Sequence, residues 1–266
     1  MPSLRVASIN MYYEIYGEGE PLLLIMGLGA DLTAWSFQTP EFSKKYRVIV
    51  FDNRGAGRTD APDAPYSIRM MADDTVGLMN ALGIQQAHVL GVSMGGRIAQ
   101  ELAIEYPQRV KSLILAATST KMPPREKHVF DTAARMLKEG VSAEIHLRNL
   151  MPWTLTEKFF ENQAQVTWSI NAMLANPHKQ PTYAFIRQFN ACAEHDTANR
   201  IGRIKAPALI LVGREDLFAP VRLSEELAAQ IPNAKLVVVD GGGHGFNVEA
   251  RDKFNQAVLD FLATVA

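Results

Sequence analysis

The chain has 266 residues, 47% of them hydrophobic, with 27 basic against 28 acidic side chains and a formal charge of −1. That length carries a sizeable core in one α/β catalytic domain, and the even charge, with no long run of either sign, excludes a basic footprint for nucleic acid. No apolar run reaches the roughly 18 to 20 residues that span a bilayer, residues 1–13 lack a secretory leader pattern, and a single cysteine, Cys192, excludes an internal disulfide or a multi-cysteine metal site. A cytoplasmic protein with no membrane partner and no metal is expected, with Cys192 serving as a small buried hydrophobe.

Residues 4–16 alternate apolar and polar over short stretches before Gly17-Glu18-Gly19-Glu20-Pro21 breaks the pattern, which predicts edge strands joined by turns. Continuous apolar runs then take over at 22–26, 48–51, 87–92, 113–116, 208–212 and 236–239. Unpatterned runs of this length fit strands buried on both faces, and the helical periods between them predict a mostly parallel, eight-stranded sheet with helices on both sides. One helix follows from Ile98, Leu102 and Tyr106 on a common stripe, stopped by Pro107, and another from Phe254, Val258, Phe261 and Leu262. The rhythm fails over 121–200, a strand-free stretch rich in Met and aromatic residues. It is read as a helical cap inserted into a core formed by 1–120 and 201–266, with Trp153, Phe159, Phe160, Trp168, Tyr183, Phe185 and Phe189 mostly forming its own interior and one or two of them lining a pocket.

Chemistry concentrates at Gly91-Val92-Ser93-Met94-Gly95-Gly96, a strand-to-helix junction that holds a serine on a sharp turn among small residues. A serine hydroxyl is a weak nucleophile and needs a base, which itself needs an orienting group. Of six histidines, His244 is selected by position, because its Gly-rich loop follows the strand ending at Val239. Asp216, in Val212-Gly213-Arg214-Glu215-Asp216 at another strand end, is preferred over its neighbour Glu215 as the carboxylate. An oxyanion needs fixed donors, and the amides of Leu28, after the first central strand, and Met94, at the helix start, are placed to supply them. Trp35, Phe218 and Phe246 beside these loops are assigned to the substrate pocket, which suits an uncharged, partly hydrophobic ester or lactone. The Gly27-Leu28-Gly29 turn opens like a dinucleotide fingerprint, but Leu32 stands where the third small residue belongs, so no nucleotide or other cofactor is expected.

With serine, acid and base in that chain order on successive strand ends, the sequence resembles the α/β-hydrolase superfamily over nearly its full length. Asp52-Asn53-Arg54-Gly55-Ala56-Gly57-Arg58-Thr59 resembles the superfamily's Asp-x-Arg-Gly-x-Gly-x-Ser loop, and Pro107-Gln108-Arg109-Val110 matches the segment after the elbow helix. The resemblance implies a serine esterase or enol-lactone hydrolase that works through an acyl-enzyme. Its alternatives are a carbon-carbon bond hydrolase or lyase with the same triad, and a ligand-binding protein with slow or no turnover. Met26 departs from the histidine that many members carry before the oxyanion glycine, which implies another way of anchoring that loop. The characteristic cap arginine of the carbon-carbon hydrolases has no clear counterpart, although Arg187 and Arg200 are available. Oligomeric state stays open, a homodimer included.

Overall fold

The fold was obtained as a computed structural model, in which residues 3–265 are described. Its strands are β1 (Ser3–Val6), β2 (Ile9–Tyr16), β3 (Glu20–Ile25), β4 (Tyr46–Phe51), β5 (Ala87–Val92), β6 (Val110–Ala116), β7 (Ala208–Gly213) and β8 (Lys235–Val239). They form one eight-stranded sheet in the order β1-β2-β4-β3-β5-β6-β7-β8. The first two strands pair antiparallel at the edge, and every pairing from β4 to β8 is parallel. The expected mostly parallel sheet with helices on both faces is the observed one.

Successive residues of a strand face opposite sides, and here each side has its own core. Leu23, Ile25, Val89 and Ile210 join the layer under the helices Ile68–Ala81, Met94–Glu105 and Val221–Gln230. Leu22, Leu24, Leu90, Leu209 and Leu211 join the opposite layer, under the helix Arg251–Ala263. Burial on both faces explains why these strands read as unbroken apolar runs, and each such side chain contributes roughly 1.5–3 kcal/mol. His88, on β5, is satisfied structurally: its ring bonds Ser112 Oγ at 2.7 Å and Glu20 at 3.0 Å.

The strand-free stretch contains helices at Pro124–Lys138, Ala143–Thr154, Glu157–Phe160, Gln163–Ala175 and Thr182–Glu194. It leaves after β6 and returns before β7, strands that are direct neighbours in the sheet. Its two ends emerge side by side, joined by a bridge between Lys121 and Asp196 and by Thr197 N–H donating to Thr120 O at 3.0 Å. A small interior of Met151, Phe159, Val166 and Ile170 holds part of it together. Trp168 departs from the expected interior placement, being 68% exposed, because it occupies the outward face of Gln163–Ala175 while Val166 and Ile170 point inward. Among the described residues, no helix is long and apolar enough to cross a membrane.

Candidate active site

Parallel register carries the strand ends to one edge of the sheet. Ile25 lies opposite Gly91, Val92 opposite Ala116, Ala116 opposite Leu211, and Gly213 opposite Val239. The loops after β3, β5, β7 and β8 therefore share one rim, the usual place for a site in an open parallel sheet.

At that rim Ser93 has φ 56° and ψ −117°, a backbone conformation that costs on the order of 1–3 kcal/mol for a residue with a side chain. The surroundings offset the strain: Ser93 N–H donates to Ala116 O at 2.9 Å, and Thr118 Oγ1 donates to Ser93 O at 2.9 Å. The turn also needs glycine beside it, since a Cβ on Gly91 would collide with the Gly95 carbonyl and one on Gly95 with the Ile25 carbonyl. With the turn so fixed, the serine hydroxyl projects at the start of the helix Met94–Glu105.

The structure brings Ser93, His244 and Asp216 together. Ser93 Oγ lies 2.9 Å from His244 Nε2, within reach for its hydroxyl to donate to the ring. On the far side of the ring, Nδ1 lies 3.0 and 2.9 Å from the two oxygens of Asp216. Asp216 Oδ1 also accepts from the amides of Phe218 and Ala219 at 2.9 and 2.8 Å, which locks the carboxylate in its loop. Glu215, the neighbour passed over, has no bond to His244. Burial disfavours the charged imidazole, but the charge of Asp216 and its hydrogen bond outweigh that penalty and hold His244 above the ordinary histidine value of 6.5.

The loop after β3 packs directly on the serine: a Cβ on Gly27 would stand 3.1 Å from Ser93 Cβ and 3.6 Å from Oγ. Neither the Leu28 nor the Met94 amide has a hydrogen-bond acceptor among the described residues. The anchoring that Met26 left open comes from elsewhere. Asn53 Nδ2 donates to Met26 O at 2.9 Å, Asp52 accepts from Leu32 N–H at 2.7 Å, and Gln188 Oε1 accepts from Gly29 N–H at 3.3 Å. The Met26 side chain itself is packed into the core.

Of the three pocket aromatics, only Phe218 is at the site, its ring set edge-on to His244 with centroids 5.2 Å apart. Trp35 and Phe246 are corrected to core residues. Both are fully buried in the layer beneath the sheet, Phe246 against Phe254 at 5.1 Å. Two rings of the helical insertion stack on Phe218: Phe130 at 5.1 Å, which sequence reasoning missed, and Trp153 at 6.2 Å, one of the insertion aromatics it had marked. Phe185 and Phe189 extend the group through Phe130. Arg187 pairs with Asp63, and Arg200 with Glu101 and Glu105, so each already has a carboxylate partner. Among the described residues, no cluster of three or more His, Cys, Asp or Glu could hold a metal ion.

Fold and rim geometry together define a class. Residues 20–250 match the family described as the alpha/beta hydrolase fold, and the chain belongs to that family and is a hydrolase. A protein of Caulobacter sp. (strain K31) named "Putative carbamate hydrolase RutD" is 32% identical over 263 residues, 96% of each chain. The enol-lactonase from Burkholderia xenovorans LB400 has a TM-score of 0.88 at 30% identity, covering 98% of this chain and 100% of that one. A thermophilic esterase from Thermogutta terrifontis has a TM-score of 0.89 at 28% identity, covering 100% of this chain and 99% of that one.

Proposed function

We propose that the protein hydrolyses a carboxylic ester or lactone of a small, partly hydrophobic substrate through an acyl-enzyme on Ser93. The observation that carries this is the continuous chain of contacts from Ser93 Oγ through His244 to Asp216, each link 2.9–3.0 Å. Ser93 Oγ adds to the acyl carbon while its proton passes to His244 Nε2, and Asp216 fixes the ring and stabilises its charged form. The amides of Leu28 and Met94 receive the oxyanion, each such donor being worth roughly a hundredfold or more in rate. Collapse of the tetrahedral species breaks the acyl-oxygen bond, and His244 returns the proton to the leaving alkoxide. Water then adds to the acyl group with the same histidine as base, releasing the acid and restoring Ser93.

Phe130 and Trp153, both half-buried and stacked on the buried Phe218 ring that lies against His244, support an uncharged, apolar group on the substrate. The name of the Caulobacter relative favours a second reading, a carbamate. A carbamate carbonyl is attacked in the same way, but its nitrogen lone pair makes it a poorer electrophile. The test compares kcat/KM for a short-acyl nitrophenyl ester, a small lactone and a nitrophenyl carbamate, with wild type and Ser93→Ala. Ester or lactone turnover that disappears in Ser93→Ala is expected; turnover equal in both proteins refutes the assignment, and a clear preference for the carbamate selects the second reading.

A further inference from the structure

We propose that Glu249 is a positioning residue that ties the His244 loop to the helical insertion, so that the base is correctly placed only while the insertion is seated. The inference rests on the assignment of His244 as general base. Glu249 ends the short helix Phe246–Glu249, and its two carboxylate oxygens serve different segments. Oε1 accepts from both the main-chain N–H and the hydroxyl of Thr156, each at 2.8 Å. Oε2 accepts from Gly243 N–H at 3.0 Å, the residue immediately before His244. On the other side of the histidine, Gly245 N–H donates to Thr154 O at 2.8 Å. Both chain neighbours of His244 are thus held to the stretch 154–156, one through the carboxylate and one directly.

Two further features single out this contact. Among the described residues no basic side chain pairs with Glu249, so its charge is spent on main-chain and hydroxyl donors and not on an ion pair; such charge-assisted bonds are the strong ones. The approach is also close, since a Cβ on Gly243 would stand 2.8 Å from Thr154 O and 3.2 Å from Glu249 Oε2. Thr154 closes the helix Ala143–Thr154, which also carries Trp153 onto Phe218. Displacement of that helix therefore pulls on the base and on the aromatic surface together. Misplacing a base by an ångström is enough to cost a large factor in rate.

The experiment measures covalent labelling of Ser93 by a fluorophosphonate in the wild type, Glu249→Gln, Glu249→Ala and Thr156→Val, recording rate constant and final amplitude separately. Amplitude counts correctly folded sites, whereas the rate constant reports how well His244 activates the serine. Full amplitude is expected throughout. The rate constant should fall at least tenfold in Glu249→Ala and by an intermediate factor in Glu249→Gln, whose single remaining acceptor oxygen can serve only one segment. A two- to threefold fall is expected in Thr156→Val, which keeps the main-chain bond. A wild-type rate constant in Glu249→Ala overturns the inference, as does a loss confined to amplitude, which marks a purely structural role. A wild type that does not label overturns the nucleophile assignment, and this inference with it, and is distinguishable from both.

Discussion

Replacing Asp216 by asparagine changes one oxygen into an amide nitrogen and leaves the loop nearly intact. The amide oxygen can keep the bonds from Phe218 and Ala219 N–H that Oδ1 now accepts, so the thermal midpoint should move little. The new NH2 then faces His244 Nδ1 and makes that nitrogen the acceptor. The ring proton moves to Nε2, where it meets Ser93 Oγ and cannot take the serine proton. The lost charge also matters: a unit pair 2.9 Å apart at an effective dielectric of about 20 interacts by about 6 kcal/mol, an upper bound on what the carboxylate contributes to the charged intermediate. A loss of roughly four decades in kcat corresponds to about 5.5 kcal/mol and lies just inside that bound. The assay is kcat and kcat/KM for the best ester or lactone from pH 5 to 9. In the wild type the base must be neutral, so its raised pKa places the acid limb of the profile above pH 6.5. In Asp216→Asn the charge and hydrogen bond of Asp216 no longer oppose the penalty of burial, and the limb moves below that of the wild type. Activity within tenfold of the wild type, or an unmoved acid limb, would refute the reasoning.

Two further outcomes are expected. Burial pushes the Cys192 thiol up to about 11, so native protein at pH 8 should resist a disulfide-exchange reagent and react fully once unfolded; rapid reaction of the native protein would show the thiol to be accessible. Phe218→Ala removes a ring packed against Phe130, Trp153 and His244, which should destabilise the protein by roughly 3–5 kcal/mol and raise KM more for long-chain than for acetyl esters. Equal changes in KM across the acyl series would place the substrate elsewhere.

The strands and the rim were legible because two-sided burial writes unbroken apolar runs, and because Ser93, Asp216 and His244 each stand just beyond such a run. The same reasoning misplaced Trp35 and Phe246, since nearness in sequence to a catalytic loop does not say which way a side chain turns. Trp35 sits in the 3-10 turn Leu32–Trp35 and points beneath the sheet, and Phe246 starts a helix that faces Phe254. Phe130 and Glu249 carried no local signal, and Trp153 stood out only as one of several aromatics in the insertion. Their partners lie far away in the chain, Glu249 meeting Thr156 across 93 residues, and only the way the insertion folds back creates those contacts. Asn53 was different. It lay within a loop already marked by its resemblance to a known motif, and asking what replaces the missing histidine at Met26 would have pointed to a side-chain amide there.

The adjacent exits at Lys121 and Asp196 give the insertion the character of a cassette. Because β6 and β7 pair directly, removing or exchanging everything between the exits would break no strand pairing, and the gap to be closed is already bridged. What resists exchange is a short set of fittings. Arg97, on the helix behind the serine, is buried against Glu126 of the insertion at 2.6 Å, and an insert lacking an acid there would strand an unpaired charge at a cost of roughly 3–5 kcal/mol. Glu249 needs a donor pair opposite it in the way Thr156 supplies one. The buried Gln188 is a third, accepting from Gly29 N–H and donating to Arg54 O, so a lineage changing its substrate range by replacing this segment would have to carry these fittings along.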